Sequence, residues 1–243
     1  MLAELENKKL GIIPLLSLAL DIYKKNFKVL VAVVTTIYLP VVMINNILLF
    51  LSLDNFNSLT LTIVNPIAYF SSIIFSLFSI VPIHFAIMAT TVVVERYVLC
   101  EKITYTTALK KSFSRLWSFC LLGVRVFIVF ELRLLLLIIP GVIYFINCYF
   151  FSHAFILRDQ RGNAALSYSR ALVKGNWWKV FFIYITQMSI VFGSLFITLR
   201  IFPANDIVAL LLRTIVAILV GSYIFVINTL LFLNLDYRKN PIV

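Results

Sequence analysis

Charge is scarce in this chain of 243 residues, and acidic charge is the scarcer kind. Only 13% of the residues are charged, and ten Asp and Glu stand against 21 Lys and Arg. So few charges could not cover the surface of a soluble fold in which 62% of residues are hydrophobic, which excludes an ordinary water-soluble domain. The short alternating strands of a membrane barrel are missing too. Catalytic patterns are equally absent. There is no Gly-rich phosphate loop and no GxSxG elbow, and the two histidines, His84 and His153, lie far apart in sequence without an HExxH pattern or a paired carboxylate. Metal-assisted hydrolysis needs several ligands at compatible spacings, so no metal, cofactor or catalytic residue is expected, and the chain reads as a non-enzyme. Cys100, Cys120 and Cys148 are an odd set without CxxC spacing and read as unpaired small hydrophobes.

What is present is long apolar runs. Val29 to Leu53 and Ile67 to Val94 exceed the roughly 20 residues that cross a bilayer core, so the chain reads as an all-α polytopic membrane protein. Three regions are expected: a cytoplasmic arm over 1–28, a six-helix transmembrane domain over 29–235, and a cytoplasmic tail over 236–243. In the arm, Leu16, Leu20, Tyr23 and Phe27 recur at helical spacing opposite Asp21, Lys24, Lys25 and Lys28, which predicts a helix lying in the membrane interface. The first apolar run is longer than a signal-peptide core and has no cleavage pattern after it, so it is read as a span.

The spans follow in order. The first covers Val29 to Leu51 with a kink at Pro40, and the second opens at Pro66 and runs to Val94 with a kink at Pro82. Ser52 to Asn65 reads as the outer loop between them, and Ser71, Ser72 and Ser76 as helix-packing positions. Leu116 to Leu157 must hold two spans and a tight turn. A turn at Pro140-Gly141 leaves a fourth span of about 24 Å, short for a core of about 30 Å. A turn at Glu131 to Arg133 gives spans Ser112 to Phe130 and Leu134 to Leu157, and keeps charge near headgroups, so this partition is favoured with Pro140 as a kink. The fifth span covers Val180 to Leu199, Arg200 to Asp206 turns outside, and the sixth runs from Ile207 to Leu235.

Basic residues set the orientation. All Lys and Arg except Arg125, Arg133, Arg200 and Arg213 fall on the arm, the tail and the loops around Glu95 to Arg115 and Arg158 to Lys179. That places both termini in the cytoplasm. The net charge of +11 is therefore read as topology and not as nucleic-acid binding. Three passages, starting at Ala19, Ala108 and Ala165, begin Ala-Leu, carry basic residues and reach aromatics before an apolar run. They form a weak threefold pattern of interfacial helices feeding helix pairs. In the third, Ala165, Leu166, Ser169, Leu172 and Val173 share a face, and Gly175-Asn176 ends the helix.

The segment around Pro140-Gly141, Asp159 to Gly162, Ala165-Leu166, Ser169-Arg170, Lys174-Gly175 and Trp177 resembles a bacterial family of six-span inner-membrane proteins. It groups the YciC-like proteins with the membrane domain attached to some glycerophosphoryl diester phosphodiesterases. The resemblance implies an inner-membrane location and six helices. It transfers no catalytic residue, because the phosphodiesterase chemistry of those relatives sits in a separate soluble barrel.

The candidate functional residues are the charges in or near the spans: Arg125, Glu131, Arg133 and Arg213. An arginine there snorkels to headgroups, pairs with Glu131, binds a lipid phosphate or lines a solute path. The leading expectation is a non-enzymatic scaffold or accessory factor in envelope upkeep, meeting anionic lipids and envelope proteins at its basic face. The alternative is a small-solute or lipid transporter or channel, built on the proline-kinked spans.

Overall fold

A chain in hydrocarbon must satisfy its own backbone, and helices do so locally. The computed structural model describes residues 2–7, 9–54, 66–101, 104–201 and 207–240, and of 3, 4, 7, 42, 45–54, 66–80, 135, 136, 207 and 210 the backbone alone. Every regular element among them is a helix: α1 (Leu2–Asn7), α2 (Ile12–Lys25), α3 (Phe27–Asp54), α4 (Pro66–Val98), α5 (Tyr105–Phe113), α6 (Leu116–Leu136), α7 (Ile138–Cys148), α8 (Phe151–Leu157), α9 (Asn163–Val173), α10 (Trp177–Ile201) and α11 (Ile207–Lys239). Among the described residues, four stretches are long and apolar enough to cross a bilayer: Val81–Val98, Ile138–Leu157, Trp177–Ile201 and Leu211–Lys239. Helices α5 and α6 meet at 64° and supply a fifth if the bent pair counts as one span. The protein is a polytopic all-α membrane protein. The packing serines Ser71, Ser72 and Ser76, most of the loop Ser52 to Asn65 and most of the turn Arg200 to Asp206 lie outside the fully described residues.

Helix α11 is the axis, packing against α1, α2, α3, α4 and α10. From Val226 to Leu233 its apolar residues are buried on all sides, as expected of a helix enclosed by others. Helix α10 is the contrary case: Phe182, Phe192, Phe196 and Ile197 are exposed, a surface that only lipid solvates.

Helix α2 turns one side to α11. The buried face of α2 is Leu15, Ala19, Ile22 and Tyr23, whereas Leu20 and Phe27 are exposed. The Tyr23 hydroxyl donates to Leu219 O (3.2 Å) and accepts from Ser222 (3.1 Å), while Tyr223 donates to Leu16 O (3.1 Å). Polar tips on an apolar face select a protein neighbour over lipid, because α11 offers bonding partners that acyl chains lack. Asn234 ties α1 to the same helix through Leu5 O (3.0 Å).

The turn between α6 and α7 lies at neither expected place. Helix α6 continues through Glu131 and Arg133, and one extended residue, Leu137 (φ −160°, ψ 133°), breaks it before α7. Pro140 is not a kink high in a span. It sits in the first turn of α7, where its missing N–H costs nothing. The chain then runs back along α6, as paired rings show: Phe130 meets Phe145 of α7 (5.6 Å between centroids), and Phe119 meets Phe151 (5.4 Å) and Phe155 (5.2 Å) of α8. Gly141 makes the close return possible, since a Cβ there would stand 3.1 Å from Leu134 Cα. A second break at Tyr149 and Phe150 separates α7 from α8, so the shortness that argued against this partition is met by a joined stretch of 20 residues, Ile138–Leu157.

Candidate functional site

The ends of three apolar helices are joined by charge. Glu95 lies near the end of α4, Asp236 near the end of α11, and Arg158 follows α8 directly. Arg158 Nη1 donates to Glu95 Oε1 (2.7 Å), and Nε donates to Asp236 Oδ2 (2.6 Å). Both carboxylates are buried, Asp236 completely. Burial works against the guanidinium's charge, but Asp236 and Glu95 outweigh it and hold the Arg158 pKa above its ordinary value. Tyr168 of α9 donates to the other Asp236 oxygen, and Asn240 Nδ2 donates to the Tyr168 hydroxyl (3.0 Å). Burial first, then the hydrogen bond to Asp236, pushes the Tyr168 phenol up to about 12, so it remains a donor at neutral pH. The guanidinium also lies over the rings of Tyr237 (5.5 Å) and Phe232 (5.9 Å). This clasp locks one end of the bundle.

Further along the bundle a neutral network joins α10, α11 and the break after α7. The Tyr149 hydroxyl lies 2.7 Å from Gln187 Oε1 and 2.6 Å from Asn228 Oδ1, and Gln187 Nε2 donates to Asn228 Oδ1 (2.7 Å). Tyr149 and Asn228 line a cavity of about 240 Å³ with His84, His153, Phe127 and Phe145. The fold thus brings the two distant histidines to one cavity. His84 packs its ring on Phe119 and Phe151, and buried His153 stacks on Phe232 with no hydrogen-bond partner at either ring nitrogen. Among the described residues no three His, Cys, Asp or Glu converge as a metal site.

A third feature is basic and open. Arg125 and Arg133 of α6, Arg170 of α9, Asn163, Ser167 and Tyr144 line a cleft of about 480 Å³. Arg125 Nη1 donates to Asn163 Oδ1 (2.9 Å), and Arg133 lies 4.3 Å from the centre of the Tyr144 ring. Among the described residues none of these three arginines has a carboxylate within ion-pair distance.

Of the predicted charges, Arg125 and Arg133 share this cleft. Arg125 lies against the start of α9 and not near an outer turn, because α6 returns beside α7 and α9 packs on both α7 and α8. Glu131 does not pair with Arg125 or Arg133, since it falls on another side of α6. Arg213 lines another cavity, of about 410 Å³, with Tyr38, Ser194 and Thr198.

The residues of the resemblance have structural work. Gly141 admits Leu134, while Gly162 (φ +53°) and Gly175 (φ +83°) hold left-handed backbone at either end of α9. Ala165, Leu166 and Ser169 are buried on the α9 face, with Leu172 and Val173. Ser169 Oγ accepts from Phe150 N (3.0 Å) and donates to Asn147 O (2.9 Å), satisfying backbone at the break. Lys174 caps the end of α9, and Trp177 stacks on Phe181 (5.2 Å).

Sequence reasoning missed Glu95, Arg158 and Asp236 as a unit. The signal was present: each is the first charge after a long apolar run, but only Lys and Arg were counted for topology. Arg170 was missed as a neighbour of Arg125 because it belongs to another segment. Comparison of the chain with models of known families, with curated proteins and with solved structures gives no match.

Proposed function

We propose that the protein is a non-enzymatic platform of the bacterial inner membrane, a scaffold or accessory factor in envelope maintenance whose basic cytoplasmic face meets anionic lipids and envelope proteins. In this reading it has six spans and both termini in the cytoplasm, and it belongs with the YciC-like proteins. The 28 residues of α3 and the bent α5–α6 pair support the two spans beyond the four that stand alone.

One observation carries the reading. The clasp ties α4, α8, α9 and α11 together with fully engaged charges, while beside it Arg125, Arg133 and Arg170 stay exposed and have no carboxylate partner among the described residues. A locked end with unspent positive charge suits docking better than passage. Mild-detergent purification of the tagged protein tests it. A reproducible set of envelope proteins is expected to travel with it, and isolation of the protein alone from every extract would contradict it.

A second reading, a solute or lipid transporter, draws on the cavity between His84, His153 and the Tyr149–Gln187–Asn228 network, which places polar groups among the helices. Flux in liposomes decides between them. Uptake that depends on the protein and falls in Asn228→Leu would favour transport.

A further inference from the structure

We infer that the cleft between α6, α7 and α9 is a binding site for a phosphate group, with the headgroup of an anionic phospholipid as its ligand. The inference rests on the platform reading and gives its lipid contact a place.

Arg125 and Arg133 are two turns apart on α6, and Val129 between them lines the same cleft, so the two guanidinium groups stand on one face of the helix. Arg170 comes from α9. Its placement is fixed from below, because Ala165, Leu166 and Ser169 are buried and Ser169 is bonded to the backbone at the α7–α8 break. Three positive groups therefore converge from two separately anchored helices on one space of about 480 Å³.

Like charges repel, and among the described residues no Asp or Glu lines the cleft or lies within ion-pair distance of the three arginines to offset them. The nearby clasp shows what the same fold does with an arginine meant for structure, since Arg158 receives two buried carboxylates. A bound anion supplies the missing charge in the cleft. Arginine suits phosphate because its planar fork donates two parallel hydrogen bonds to two oxygens. Asn163 and Ser167 add neutral polar groups at the rim, and Tyr144 holds Arg133 by its ring.

The space favours a lipid over a free ion. It exceeds what one phosphate needs, is open at its side, and has Val129 and Leu166 in its wall, where the glycerol and first acyl carbons would lie. Helix α9 presents Ser167, Arg170 and Lys174 outward, while its apolar face is taken up by α7 and α8.

The test uses the full-length protein in nanodiscs of neutral phosphatidylcholine containing phosphatidylglycerol, with retained lipid counted by mass spectrometry after release into detergent. Wild-type protein is expected to retain phosphatidylglycerol about tenfold over phosphatidylcholine, and the triple variant Arg125→Gln, Arg133→Gln, Arg170→Gln to lose that preference. All three side chains are exposed, so the variant should keep the wild-type circular dichroism and melting temperature. Lys24→Gln with Lys25→Gln, which removes as much surface charge as two of the arginines, should keep the preference. An unchanged preference in the triple variant, or equal loss in the lysine variant, would overturn the site. Inorganic phosphate and glycerol phosphate form the second arm: binding of these that the triple variant abolishes supports the phosphate site, and without lipid retention it overturns the lipid as ligand. Failure of the platform reading looks different, because there the envelope proteins are absent whatever the cleft retains.

Discussion

Arg158 is the residue on which the clasp depends. Removing it leaves Asp236 and Glu95 buried without their ion-pair partner, and a broken buried pair of this kind costs about 3–5 kcal/mol. Arg158→Ala should therefore lower the unfolding midpoint in detergent steeply, whereas Arg96→Ala, whose exposed pair with Glu101 is worth at most about 1 kcal/mol, should change it little. Tyr168 gives the clasp a pH limit. Its phenol titrates at about 12 when folded against an ordinary 10.0, so the folded state holds the proton more tightly than the unfolded one. Its contribution is then complete below pH 10.0 and is lost as pH rises through about 12. Melting measured across that range should show an alkaline loss that Tyr168→Phe removes. None of this pairing was readable residue by residue, since nothing local tells which distant helix end will meet Arg158.

The elements were more legible than their partners. Helical spacing picked out the buried α9 face, because an amphipathic helix writes its burial into its own sequence. In α2 apolar residues occur on more than one side, and the polar tips of Tyr23 and Tyr223 decide which side meets α11, a choice that spacing alone does not record. For α6 and α7, span length and the cost of buried charge pointed to Glu131–Arg133, while the backbone turned at Leu137. Length failed as a guide because α7 and α8 add together across a break whose backbone Ser169 satisfies from outside. The hairpin can be tested at its tightest point. Gly141→Leu must push Leu134 away, so it should destabilise the protein by about 1–3 kcal/mol, whereas Gly193→Ala, with open space around it, should be near neutral or slightly stabilising. Equal melting of the two variants would argue against the close α6–α7 return.

At the scale of the whole molecule, composition alone established the membrane class, and the four long apolar helices agree with it. The gathering of function could not be read there. Arg125 and Arg133 were visible as charges in an apolar run, but the third arginine and the absence of a carboxylate among them depend on how α9 folds back over α7 and α8. The resulting molecule has one locked end and, beside it, a basic cleft with no counter-charge among the described residues. Its most direct test is the lipid it carries from its own membrane. Extraction of the wild-type protein with a lipid-preserving polymer, followed by counting of phospholipid classes, should give an annulus enriched in anionic lipid over the bulk membrane, with the excess falling at high salt. A lipid composition equal to that of the bulk membrane, or one insensitive to salt, would contradict a basic platform that engages anionic lipid.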